Sequence, residues 1–128
     1  MSNLYSEKAY MYCKYCGKPI EKGGNVVIIQ DLRDEPEHRN VVDVYTVCKG
    51  LCDRQLQRRV MQQGLYDGWE DLDDLRIPVE YIRWLMGILN GLYNGDKYTK
   101  EAFENLKTVL LVLAQDICRD MTEKELER

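Results

Sequence analysis

The chain has 128 residues and a mass of 15.1 kDa, the size of one domain and too short for two full hydrophobic cores. Its 45% hydrophobic and 31% charged residues are ordinary globular composition, which excludes wholesale disorder, collagen-like and low-complexity organisation. A formal charge of −4 excludes a chain that is basic overall, as a general polyanion binder would be.

In chain order, residues 1–12 are polar, carry Tyr5, Tyr10 and Tyr12, and read as a mostly loose leading segment that rests a ring or two on the domain. Residues 13–19, CKYCGKP, form a turn in which Gly17 is free to take positive φ. Residues 25–32, NVVIIQDL, read as a strand, 33–40 as a charged solvated connection, and 41–48, VVDVYTVC, as a second strand pairing antiparallel with the first. A short amphipathic helix follows over 53–63, with Leu56 and Val60 at i, i+4 and Gly64 at its C-terminal cap.

Residues 65–77, LYDGWEDLDDLRI, read as an acidic connection anchored by Trp69, Leu72 and Leu75, with carboxylates available to cap the next helix. Pro78 opens that helix, and Tyr81, Ile82, Leu85, Met86, Ile88, Leu89, Leu92 and Tyr93 read as its core face until Asn94-Gly95 stops it. Thr99 caps a last helix in which Phe103, Leu106, Leu110, Leu113, Ile117 and Met121 recur at spacings of three and four. Two helices joined by a short loop predict an antiparallel αα-hairpin, and the tail TEKELER is expected to fray. No internal repeat is present.

No apolar run approaches the ~20 residues that span a bilayer. The leading MSNLYSEKAYMYC has neither an apolar core nor a small-residue cleavage site, so no signal peptide and a cytoplasmic location are expected.

The five cysteines carry the chemistry. Cys13 and Cys16 form C-x-x-C, Cys48 and Cys52 form C-x-x-x-C, and Cys118 stands alone. An odd count without a secretion signal argues against a disulfide framework. A redox C-x-x-C opens a helix, whereas Gly17, Lys18 and Pro19 favour a turn here. Two thiol pairs suit tetrahedral zinc, with sulfur about 2.3 Å from the ion. An iron–sulfur centre also accepts four cysteines, though zinc is the commoner occupant of such pairs. Cys118, within an apolar helical pattern, reads as a buried thiol acting as a small hydrophobe.

A C-x-x-C turn (Cys13, Cys16, Gly17), a β-hairpin, and a cysteine pair leading into a helix (Cys48, Cys52) follow one another over residues 13–64. In this order the segment resembles a treble-clef zinc finger. The second pair has three intervening residues where that family has two, and Gly50 can absorb the extra one in a turn. The resemblance implies a fold and a ligand set, Cys13, Cys16, Cys48 and Cys52, and no particular activity. The fold expected is therefore α+β: a zinc-binding module over 1–64, then an acidic connection and a two-helix hairpin over 65–128, packed as one unit.

Four thiolates fill the zinc coordination sphere, whereas a catalytic zinc keeps a position for water. A structural zinc contributes roughly 10–16 kcal/mol in finger peptides, comparable with the ~5–15 kcal/mol stability of a whole domain. The only histidine, His38, sits in the charged 33–40 connection, where a solvated ring is expected. No nucleophile elbow, P-loop or dinucleotide fingerprint is present, and the run Asp67, Glu70, Asp71, Asp73, Asp74 lacks the register of a calcium loop. The chain is expected not to be an enzyme.

Charge divides unevenly. Residues 1–64 hold 10 Lys/Arg against 8 Asp/Glu, and residues 65–128 hold 8 against 14. The local positive charge is Lys49, Arg54, Arg58 and Arg59, around the start of the first helix and along it. A structural zinc, no catalytic set and an acidic second half together predict a small accessory protein, an adaptor or inhibitor, that binds another protein. The alternative is a nucleic-acid-binding regulatory protein using those four cations. A membrane partner is not expected, and self-association stays open.

Overall fold

The computed structural model describes residues 7–31 and 38–126, with side chains as far as residue 122. Eight elements run in the order β1 (Asn25–Gln30), β2 (Asn40–Val47), α1 (Leu51–Gln62), β3 (Tyr66–Asp71), α2 (Leu72–Leu75), α3 (Pro78–Tyr93), β4 (Lys97–Tyr98) and α4 (Lys100–Leu126). The result is a mixed α/β fold around a four-stranded sheet ordered β3-β1-β2-β4.

β1 is central because its run Val26-Val27-Ile28-Ile29 is apolar on both faces, and both faces are buried. It pairs antiparallel with β2, Val27 opposite Tyr45, and the register slips by one residue between Ile29 and Gln30. On its other side it pairs antiparallel with β3, Val27 opposite Trp69. α1 covers one face of the sheet, with Leu56 and Val60 beside Ile29 and Tyr45. α4 packs on β2 with Ala102, Leu106, Val109 and Leu113 buried. Since side chains alternate along a strand, Val26, Ile28 and Val44 point away from the face that Val27, Ile29 and Tyr45 present to α1. α3 lies beside α4, where the Tyr81 hydroxyl donates to the Leu110 carbonyl at 2.9 Å.

Several caps form where the sequence places them. Pro78 is in the first turn of α3, and Asn94 and Gly95 close that helix, Gly95 at φ 106°. The Thr99 hydroxyl accepts from the Ala102 N–H at 3.1 Å at the start of α4. The carboxylate cap expected at α3 is absent there, where Ile77 is the N-cap, and Asp71 instead caps the short α2, accepting from the N–H groups of Asp73 and Asp74.

Other expectations need correction. The acidic connection over 65–77 is ordered as β3 and α2. Asp, Gly and Glu are poor strand formers, which hides β3 from pattern reading. As an edge strand it tolerates them, and the same charges blunt its open edge. Leu72 and Leu75 are buried anchors, but Trp69 is exposed. The helices do not meet through a loop alone: β4 intervenes and joins the sheet parallel to β2, with the Lys97 N–H donating to the Arg39 carbonyl.

α3 contributes no buried residue. Tyr81, Trp84 and Ile88 lean on the core, while Ile82, Met86, Leu89 and Tyr93 face outward. In α4, Phe103 and Met121 are exposed, and Ala102, Val109 and Val112 belong to the buried face instead. Cys118 is exposed and not a core thiol. His38 is half-buried, its ring over the Gly95 turn. The leading segment is tied down from residue 7: the Gln115 amide donates to the Glu7 carbonyl and accepts from the Ala9 N–H. Tyr10 and Tyr12 are exposed and lie 6.5 Å apart, whereas Tyr5 and most of the 33–40 connection fall outside the described residues. α4 runs on through Leu126, across most of the tail expected to fray.

Candidate metal centre

The first thiol pair sits on a tight turn docked against β2. The Gly17 N–H donates to the Cys13 carbonyl and the Cys13 N–H to the Lys18 carbonyl, both at 2.8 Å. That closure needs positive φ at Gly17, observed at 76°. Thr46 holds the turn in place: its hydroxyl donates to the Tyr12 carbonyl, and its own carbonyl accepts from the Lys14 N–H, each at 2.8 Å. Cys13 is buried beneath this contact, and Cys16 is exposed.

The second pair straddles the passage from strand to helix. β2 ends at Val47, Cys48 follows it, and Cys52 lies in the first turn of α1. Gly50, at φ 87°, makes the bend between them and stands at the N-cap position, where it supplies no side-chain cap. The extra residue between the two cysteines is absorbed there. Cys52 therefore lies at the positive end of the helix dipole, which favours a thiolate.

These elements bring all four sulfurs, from Cys13, Cys16, Cys48 and Cys52, within 4.8 Å of one another. Cys16 Sγ and Cys48 Sγ are 3.9 Å apart. Sulfurs at the corners of a tetrahedron about 2.3 Å from a central ion are separated by roughly 3.8 Å. The cluster thus has the dimensions of a site for a single metal ion. A multi-iron centre would stand between the sulfurs and hold some of them farther apart.

Burial pushes the Cys13 thiol up, but N–H donation from Cys16, Cys48 and Tyr15, with the Cys16 thiol, outweighs it and brings Cys13 down to about 6. The Cys16 and Cys48 N–H groups lie 3.5 and 3.4 Å from its sulfur. Cys48 is pushed up to about 12 and Cys52 to about 11, first by burial and then by hydrogen bonds and negative charge from Cys13 and Cys16. One thiolate forms readily, and its charge opposes the next. A divalent cation among the sulfurs removes that opposition, so metal binding and proton release are coupled.

The four cations singled out in the sequence have different surroundings. Lys49 is paired with Asp71 of β3. Arg59 places its guanidinium 6.0 Å from the Tyr15 ring centroid, on the turn that holds the first thiol pair. It lies seven residues, close to two turns, along α1 from Cys52 and so on the same side of the helix. Arg54 and Arg58 are exposed on the side away from Leu56 and Val60. Sequence reasoning missed Thr46, Tyr15 and Asp71, which support the centre from outside the ligand set. Tertiary pairing connects Thr46 and Asp71 to it, whereas Tyr15 lies inside the Cys13–Cys16 turn itself.

Among the described residues this is the one cluster of three or more potential ligands that could hold a metal ion. No helix among them is long and apolar enough to cross a membrane. Comparisons with protein families, with curated proteins and with solved structures find no match to the chain. The fold and the site therefore define the molecule as a mixed α/β protein with a four-cysteine cluster of metal-binding dimensions.

Proposed function

We propose that the protein is a zinc-stabilised, non-enzymatic interaction protein, an adaptor or inhibitor that binds another protein. Its front portion is read as a treble-clef-like zinc module, with Cys13 and Cys16 on the knuckle and Cys48 and Cys52 at the start of the helix. The observation that carries this reading is the convergence of four sulfurs within 4.8 Å. Four thiolates around zinc fill its coordination, so the ion organises structure and activates no water. The side chains around the cluster support the same reading. Tyr15, Thr46, Arg59 and the Lys49–Asp71 pair brace the turn, the strand end and the helix.

Exposed Glu70, Asp73, Asp74, Glu101, Glu104 and Asp120 make the second half acidic, which suits a basic protein surface as the partner. Nucleic-acid binding has in its favour the exposed Arg54 and Arg58 on one side of α1. Lys49 is already engaged with Asp71, and Arg59 with the Tyr15 ring, which leaves a small basic surface.

The test is elemental analysis of the purified chain, followed by capture of partners from source-cell lysate with and without nuclease. One zinc per chain, and a protein partner that survives nuclease, are the expected results. Iron in place of zinc overturns the metal assignment. Capture that nuclease abolishes, or binding to DNA or RNA that falls steeply with salt and disappears in the Arg54→Ala, Arg58→Ala double variant, supports the nucleic-acid reading instead.

A further inference from the structure

α3 is sixteen residues long, and its only charged or amide side chains are Glu80, Arg83 and Asn90. A helix of that composition is expected to be covered on most sides. Here not one residue is buried. Tyr81, Trp84 and Ile88 lean on the core, and the opposite side carries Val79, Ile82, Met86, Leu89 and Tyr93 toward solvent, with Tyr93 90% exposed. Those five side chains recur at spacings of three, four, three and four. This is the repeat that keeps one straight apolar seam facing a second helix packed at about 20°.

We propose that this seam pairs with the same seam of a second copy of the chain, making the protein a homodimer across α3. Two observations select that occupant. The first is area. The seam side chains, with the exposed Ile77 beside them, leave on the order of 600 Å² of apolar surface uncovered, at the upper end of the ~300–600 Å² of the largest patch on an ordinary monomer. That is most of the ~800 Å² per partner that a stable interface buries.

The second is charge. The chain carries −4, so most of its surface repels its copy. α3 does not: Glu80 and Arg83 neutralise each other at 3.0 Å, and both lie off the seam. A basic or acidic peptide finds no complementary charge there, whereas an equally uncharged helix of the same repeat needs none. In an antiparallel two-fold arrangement centred near Met86, Ile82 of one copy meets Leu89 of the other. Val79 then lies by Tyr93, so the patch is self-complementary. This inference stands apart from the metal assignment, since no residue of the seam belongs to the cysteine cluster.

Sedimentation equilibrium of the full metal-loaded chain tests it, in reductant so that the exposed Cys118 cannot cross-link two copies. A mass of twice 15.1 kDa at tens of micromolar is expected. Met86→Glu, and separately Ile82→Glu, should each weaken the dimer by ~100-fold. Both side chains are half exposed in the monomer, so helical content and metal content should stay unchanged. A wild-type chain that remains monomeric up to ~200 μM overturns the proposal. So does a dimer that both substitutions leave intact, or a monomer whose seam is instead taken up by a different protein.

Discussion

The two faces of the central sheet are held in different ways. Behind it, α4 lays Ala102, Leu106, Val109 and Leu113 onto the strands, all at or below 3% exposure. In front, α1 offers only Leu56 and Val60 as buried side chains, and its first turn reaches toward four sulfurs instead. The rear layer is an ordinary apolar interface, stabilised in proportion to the area it removes from water. The front layer has too little such area to hold a knuckle and a twelve-residue helix in place. In the function proposed above, an ion that converts four mutually repelling thiolates into one bonded group takes the place of the missing core. A fold of this size can therefore mix two kinds of adhesive, each confined to one side of the same strands.

The largest effect that would break this contrast is loss of the metal. Stripping it by chelation, or the Cys48→Ala substitution, should remove on the order of 10 kcal/mol from the front layer. Amide exchange would then show protection vanishing over residues 13–17 and α1 while α4 stays protected. Equal loss on both faces would show that they are one cooperative unit, and no loss would show that the ion holds nothing together.

On the rear face, Leu113→Ala should cost about 3 kcal/mol in a denaturant titration, because Leu113 has no exposed surface and leaves a cavity. Metal content should be unchanged.

A third change sharpens the rear face further. Asp116 lies between Arg76, at 3.2 Å, and Arg119, at 2.9 Å, with its side chain and that of Arg76 almost buried. Asp116→Ala leaves the Arg76 guanidinium held by Asp73 alone, at 2.8 Å, with one nitrogen that has no partner among the described residues, and should cost about 1–2 kcal/mol. A cost near zero would mean that solvent reaches the pair.

The smallest effect is alkaline. Burial, then the charges of Asp43, Asp67 and Asp53, push the Tyr45 hydroxyl on the α1 side up to about 12 from 10.0. A raised pKa in the folded state contributes stability that is complete below pH 10 and lost as pH rises through about 12. Urea midpoints of the metal-loaded chain should fall over that window, and less so in Tyr45→Phe. An identical fall in the variant would assign the loss elsewhere.

Much of the local structure was legible residue by residue. The Cys13–Pro19 turn needed a glycine and had one, the β-branched Val26–Ile29 run read as a strand, and Pro78, Thr99 and Asn94-Gly95 mark helix ends by their own chemistry. The four-cysteine cluster was legible because paired thiols have few alternative uses in a chain without disulfides. What failed was the step from a pattern to what covers it. Tyr66–Asp71 has acidic, loop-like composition and becomes a strand because β1 presents an open edge. Cys118 follows an apolar run, yet its side of α4 meets solvent.

The comparison of α3 with α4 shows the limit most plainly. Both repeat apolar residues at three and four, and periodicity identifies a face without identifying its neighbour. α4 meets the sheet, and α3, set aside by the two-residue β4, meets α4 along one edge only. From the sequence alone came the two cysteine pairs, the turn glycines and the existence of each long helix, because these depend on residues within a few positions of one another. Which strands pair, which helix is covered and which thiol is exposed depend on contacts between distant segments. Only the assembled chain decides those, since there each apolar surface competes for a limited number of partners.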